Sequence, residues 1–350
     1  MSESTSMDRV LTTLQHREPD RVPLFLLPTI HGALHLGLPI REYFSRAEHV
    51  AEGQLRMRAR YGHDCLYGFF YAAAEVEAWG AEVVFAEDGP PTTGEPFLRS
   101  RAAVATLSVP DVERTPCLAR VLRAISLMKE KVGTDAPIIG VAMSPFSLPV
   151  MQMGFAQYLD LMLEEPELFD RLMKVNEEFC AAWANAQLQA GATAICYFDP
   201  VSSTTIIPPE LYLRHGQPVA TRTIARIHGP TATHFASGRC LPIVDAVVRT
   251  GTAVVGVGSL EDFAAAKAAC RGKVTVLGNL PGIQMTHWTT AQAEDTVRQC
   301  MAAAAPGGGF ILSDGHGELP LQVADETLLA IAAAVREWGR YPVHAGVARA

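Results

Sequence analysis

Cationic charge is scarce in this chain. Its 29 Lys and Arg stand against 37 Asp and Glu, a formal net charge of -8. That balance argues against nucleic acid or an anionic membrane as the main partner. Charged residues of either sign make up only 19% of the sequence, while 49% is apolar, enough for a sizeable core. No apolar run approaches the roughly 18 to 20 residues of a membrane span. The seven cysteines (Cys65, Cys117, Cys180, Cys196, Cys240, Cys270, Cys300) never form a CxxC pair. Scattered in this way, they read as reduced thiols of a cytoplasmic protein. Residues 1–8 are short and polar, a flexible leader and not a targeting segment. No linker, low-complexity segment or long repeat divides the 350 residues.

What the chain does have is one event repeated about eight times. A short run of Val, Ile, Leu or Phe stops abruptly at polar residues, as where Phe310-Ile311-Leu312 breaks into Ser313-Asp314-Gly315-His316-Gly317-Glu318. Strands are expected at 22–27, 64–69, 138–142, 194–198, 231–235, 253–257, 274–277 and 310–312. Several are apolar on both faces, as in a covered parallel sheet. Helical patterns lie between them at 47–61, 117–132, 155–164, 167–190, 209–227, 241–250, 259–269, 290–304 and 325–338. Ser259 and Thr289 are expected to cap the helices that follow them. Strands alternating with helices predict an α/β fold with parallel pairing. Eight of them favour closure into a single (β/α)8 TIM barrel over 1–350. Residues 86–116 form an insertion, expected as a hairpin or lid.

A barrel places its chemistry at the C-terminal strand ends. Candidates there are His31, Tyr71, Glu77, Ser144, Asp199, His234, Asn279, Asp314, His316 and Glu318. Alternation along a strand groups His234 with Ala232 and Ala236, and Asp199 with Tyr197. Each also has a plainer reading. A strand-end histidine can be a hydrogen-bonded structural residue, Asp199 before Pro200 can make a turn, and Asn279 can fix a loop. Glu75 and Glu77 can be solvated helix residues. Gly307-Gly308-Gly309 precedes a strand instead of opening a helix, so it reads as a loop more readily than as a phosphate cradle.

Five segments together resemble the uroporphyrinogen decarboxylase superfamily: HREPDRVP (His16 to Pro23), AEVEAWGAEVVFAEDGPP (Ala74 to Pro91), DPVSSTTIIPPELY (Asp199 to Tyr212), THFASGR (Thr233 to Arg239) and APGGGFILSDGHGELP (Ala305 to Pro320). Within it the chain looks more like the corrinoid-linked methyltransferases. The resemblance implies a single (β/α)8 barrel. It also implies methyl transfer between a small substrate (methyl ether, methylamine, thiol or folate) and a corrinoid (cobalamin) on a partner protein. Zinc could assist, and tetrahydrofolate could accept the methyl group. The chain would be a monomer or homodimer. The alternative is a decarboxylase, or a tetrapyrrole- or corrinoid-binding module without methyl transfer.

The resemblance carries over to His234; with the strand-end positions it leads us to expect His234, His316 and Asp199 as catalytic residues, and His31, Tyr71, Glu77, Ser144 and Asn279 as substrate contacts. His234, His316, Asp314 and Glu318 are the metal candidates. Two departures stand out. The methyltransferases bind zinc through His-x-Cys and a later Cys, and here Ala236 and His316 occupy the two cysteine positions. The decarboxylases carry Arg-Gln-Ala-Gly-Arg after the first strand and an Asp where Tyr71 stands. Here that loop reads Leu26-Leu27-Pro28-Thr29-Ile30-His31-Gly32, although Gly315-His316-Gly317 does match their Gly-His-Gly. Cys240 is a further zinc candidate. The chain has no Asp-x-His-x-x-Gly corrinoid motif.

Overall fold

The computed structural model describes residues 4–343. Eight strands form one parallel sheet: β1 (Leu24–Phe25), β2 (Leu66–Tyr67), β3 (Ile138–Met143), β4 (Ala194–Phe198), β5 (Thr231–His234), β6 (Val254–Val257), β7 (Thr275–Leu280) and β8 (Phe310–Asp314). They run in the order β1-β8-β7-β6-β5-β4-β3-β2. The Asp64 N–H donates to the Leu24 carbonyl at 2.7 Å, joining the two ends of the curled sheet. All eight expected strands are present. The last extends further than expected, because Ser313 and Asp314 still pair with Asn279 and Leu280 of β7.

The strands are buried on both faces for most of their length, as helices cover the outside of the sheet. Inward side chains fill the axis: Phe25, Tyr67, Ile139, Val141, Cys196, Val254, Leu277 and Ile311. Val10, from the helix Ser6–Leu14, packs beneath them. That helix corrects the leader reading over Ser6 to Asp8. Thr5 and Asp8 form a capping box, so the segment starts a helix that plugs the barrel floor. Residues 1–3 of that leader lie outside the described residues.

The helices at Ala47–Tyr61, Phe155–Glu164, Thr290–Ala304 and Asp325–Trp338 match the expected bounds. Thr289 caps with Gln292 as read. Ser259 does not cap: Asp262 holds the N-terminus of Phe263–Cys270, accepting from the Ala265 N–H. Glu261, next to it, instead accepts from the Leu241 N–H at 2.8 Å. Val83–Val84, just before the insertion, pairs antiparallel with Thr92–Thr93 within it. A short helix, Arg101–Thr106, follows. Among the described residues no helix is long and apolar enough to cross a membrane.

Candidate active site

His234 ends β5 and faces the axis together with Ala232, both lining an apolar hollow of about 80 Å³ within the barrel. The ring is 3% exposed and stacks on Phe198 at 5.5 Å. Two glycines make room for it. A Cβ at Gly256 would lie 2.5 Å from His234 Cδ2, and one at Gly317 would lie 3.2 Å from Cε1. The Ala236 N–H donates to His234 Nδ1 at 3.0 Å. Ala236 holds φ 52 to do so, a left-handed conformation that costs a residue with a Cβ about 1–2 kcal/mol. A neutral ring that accepts at Nδ1 carries its proton on Nε2; that buried Nε2 makes no well-formed hydrogen bond, and the Asp314 backbone beside the ring offsets only part of the effect of burial. Burial, aided by the nearby charge of His316, pushes the imidazole down to about 4.

His316 stands above, in the loop after β8. Its Nδ1 lies 2.7 Å from Ser237 Oγ, three residues beyond His234. Asp314 shapes this loop, its Oδ1 accepting from the N–H groups of His316 at 3.0 Å and Gly317 at 2.6 Å. The Tyr67 hydroxyl donates to the Gly317 carbonyl from across the barrel. Asp314 is 1% exposed. Burial raises its carboxyl above the usual range, and Oδ2 has no partner. Glu318 accepts from the Thr29 hydroxyl. Burial, with the charge of Asp314 adding to it, raises the Glu318 carboxyl to about 7. His234, Ser237, Asp314, His316, Glu318 and Thr29 therefore form one group at the mouth.

The other candidates do not join it. Asp199 faces outward with Tyr197, toward the helices, while Cys196 and Phe198 face the axis. Its Oδ1 accepts from Ser144 Oγ at 2.5 Å and Ser147 Oγ at 2.7 Å. The catalytic reading of Asp199 and the substrate-contact reading of Ser144 are thus replaced by a buried tie between the ends of β3 and β4. His31 is 3% exposed, and burial holds it at about 4. Tyr71 is buried edge-on to Phe44 and Phe85, and its hydroxyl donates to Glu77 at 2.8 Å. Glu75 is not solvated: it is 6% exposed and accepts from the Met143 N–H at 2.8 Å. Asn279 donates to the Gly258 carbonyl at 3.4 Å and lines a different hollow, with Ser259 and Cys300. Lys267 donates to the carbonyls of Gly308 and Gly309. That glycine loop therefore turns oxygens, not N–H groups, toward its partner and cradles no phosphate.

The metal set does not assemble either. Among the described residues no three His, Cys, Asp or Glu side chains gather as metal ligands. The stronger argument is the His234 tautomer. A metal-ligating histidine donates its second N–H to an acceptor, whereas His234 Nδ1 meets the Ala236 N–H. Asp314 Oδ1 is committed to two backbone N–H groups. Cys240, 1% exposed, turns toward the Gly256 carbonyl. The residues present do not fit zinc.

A cleft of about 1080 Å³ lies among Arg9, Arg21, Arg58, Arg336 and Arg340. It borders the plugging helix at the N-terminal end, where barrels do not place their chemistry. Arg9 and Arg21 there are paired with Asp64. Sequence reasoning assigned no role to Ser237 or Thr29. Their signal was position: three residues after His234, and the loop that follows the first strand.

The uroporphyrinogen decarboxylase (URO-D) family profile matches residues 5–338, and the chain belongs to that family. It is 24% identical over 354 residues to the uroporphyrinogen decarboxylase of Idiomarina loihiensis, covering 95% of this chain and 96% of that one. It is 25% identical over 340 residues to the methylcobamide:CoM methyltransferase MtaA of Methanosarcina barkeri, covering 95% and 98%. A solved methyltransferase from Methanosarcina mazei shares the fold, with a TM-score of 0.86 at 21% identity over 96% of this chain and 99% of that one.

Proposed function

We propose that this chain is a methyltransferase moving a methyl group between a small substrate and a corrinoid carried by a separate protein. The observation that carries the reading is the loop after β1. Leu26, Leu27, Thr29, Ile30 and His31 are all buried, and no Lys or Arg occurs between Arg21 and Arg41. A tetrapyrrole bearing many carboxylates needs guanidinium partners at the mouth, and this loop supplies none. The similarity to a methylcobamide transferase, over nearly the full length of both chains, supports the same reading. The corrinoid enters as the second substrate at the open strand ends. His316 and Ser237 form the polar rim beside it, and His234 and Phe198 form the floor. Tetrahydrofolate or a thiol would serve as acceptor in the reverse direction.

The test uses the full chain with cobalamin as the corrinoid. Reduced cobalamin is offered methyl ethers and methylated amines, and methylcobalamin is offered thiols and tetrahydrofolate. Absorbance follows the cobalt–methyl bond. Transfer above the uncatalysed rate in either direction is expected. Decarboxylation of a carboxylated porphyrinogen with no methyl transfer overturns the reading, as does cobalamin binding without turnover.

A further inference from the structure

We infer that the arginine-lined cleft at the N-terminal end of the barrel is a binding site for a small anion bearing a diphosphate. It is separate from the mouth and stands whether or not the chain transfers methyl groups. Four arginine-bearing stretches of chain meet there: the start of the helix Ser6–Leu14, residues 19–21, the end of the helix Ala47–Tyr61 and residues 336–341. The Val22 N–H donates to the Gly339 carbonyl at 2.8 Å, and Arg21 pairs antiparallel with Arg340. The cleft is therefore built by long-range pairing.

Its charge is not balanced. Five guanidinium groups line it against three carboxylates: Asp20 and Asp135, which also line it, and the buried Asp64, which pairs with Arg9 and Arg21. The excess of two positive charges stands in a chain whose net charge is -8. Arg58, Arg336 and Arg340 belong to no ion pair among the described residues. A guanidinium has five N–H donors, and each of these three uses one on a neutral oxygen. Arg58 Nη2 donates to the Ser6 hydroxyl at 3.3 Å, Arg336 Nη2 to the Tyr61 carbonyl at 3.0 Å, and Arg340 Nε to the Arg336 carbonyl at 3.0 Å. Arg58 Nε is buried with no partner. Arg340 stands opposite Arg21 in the antiparallel pair and four residues from Arg336. Like charges so placed repel, and an anion bound among them removes that repulsion.

Geometry selects the anion. A planar guanidinium fork donates two parallel N–H bonds to a pair of oxygens on a carboxylate or a phosphate. One carboxylate satisfies one fork, whereas a diphosphate presents enough oxygens to engage three. Pockets of about 300–1,000 Å³ hold drug-sized molecules, so a volume of about 1080 Å³ takes a diphosphate with or without an organic group attached. The ligand would join the plugging helix, the lead into β1 and the segment after the last helix, so it fastens the barrel floor and takes no part in chemistry at the mouth.

The experiment titrates the full chain with pyrophosphate, adenosine diphosphate and citrate by calorimetry, in chloride buffer free of divalent cations, and follows Tm with each. One phosphoryl ligand per chain is expected, bound at least tenfold more tightly than citrate, with Tm rising with its concentration. Tighter binding of pyrophosphate supports the proposal with a free diphosphate as ligand, and tighter binding of the nucleotide supports it with an organic diphosphate. Arg58→Gln and Arg340→Gln should each weaken binding at least tenfold. Without ligand, Arg340→Gln should keep or raise Tm, because a like-charge contact is relieved. Arg114→Gln, on an exposed side chain outside the cleft, should leave binding unchanged. No binding of either phosphoryl ligand at millimolar concentration overturns the proposal, as does citrate binding as tightly as they do. Binding that Arg58→Gln and Arg340→Gln leave unchanged, or that Arg114→Gln weakens equally, overturns it too.

Discussion

Glu75→Gln is the substitution whose effect follows most directly from the structure. Glu75 sits in the short helix Ala73–Glu77, 6% exposed. One carboxyl oxygen accepts from the Met143 N–H, and the other is buried beside the Trp183 indole without a well-formed hydrogen bond. Burial raises the group from 4.5 to about 8, and no cation offsets it. The folded state therefore keeps a proton that the unfolded chain gives up. Stability contributed by the protonated form is complete below the unfolded value and is lost as pH rises toward the folded one. At 1.36 kcal/mol per pH unit the whole loss is about 5 kcal/mol, of which about 2.5 kcal/mol falls between pH 5.5 and 7.5. Glutamine keeps the acceptor for Met143 and does not titrate. Equilibrium urea unfolding of both proteins at the two pH values gives a double difference. Any constant cost of the amide beside Trp183 cancels in it, as does the similar slope from Glu318. The wild type should lose about 2.5 kcal/mol more than the variant across this interval. Parallel pH dependences would falsify the argument that Glu75 is buried without a compensating charge.

Gly256→Ala places a methyl group 2.5 Å from His234 Cδ2. It should cost about 1–3 kcal/mol in stability and lower turnover more than tenfold by displacing the ring; unchanged turnover with a lowered Tm discards a role for His234. Asp199→Ala leaves the Ser144 and Ser147 hydroxyls without their acceptor. The expected cost is about 1–3 kcal/mol, with activity per folded molecule retained, and a large fall in kcat at full folding restores the catalytic reading. Protein dialysed against excess zinc should retain less than stoichiometric metal by elemental analysis. One zinc per chain that disappears in His234→Ala contradicts the tautomer argument.

Fold and site were unequally legible in the sequence, for a physical reason. All eight strands and four helix bounds could be read because burial on both faces leaves an unbroken apolar run that ends where the chain meets the mouth or floor. Parity within one strand was equally readable: His234 goes with Ala232, and Asp199 with Tyr197. Which of the two sets faces the axis was not readable. It depends on the sheet's curl, and both faces of β4 are apolar. That undecided choice is why Asp199 and Ser144 were grouped with the histidines. The helix Ser6–Leu14 was missed because its polar composition outweighed a capping box whose partner is Asp8, not Glu or Gln. Ala236 shows the deepest limit. Its identity signalled a lost thiolate, but not that its backbone would turn to φ 52 and direct an N–H at His234 Nδ1. A side chain was removed from the metal set, and a main-chain donor took over the ring that remained. The same contact fixes the proton on Nε2, so cysteine at 236 alone would not restore a zinc site unless the turn at 236 also changed.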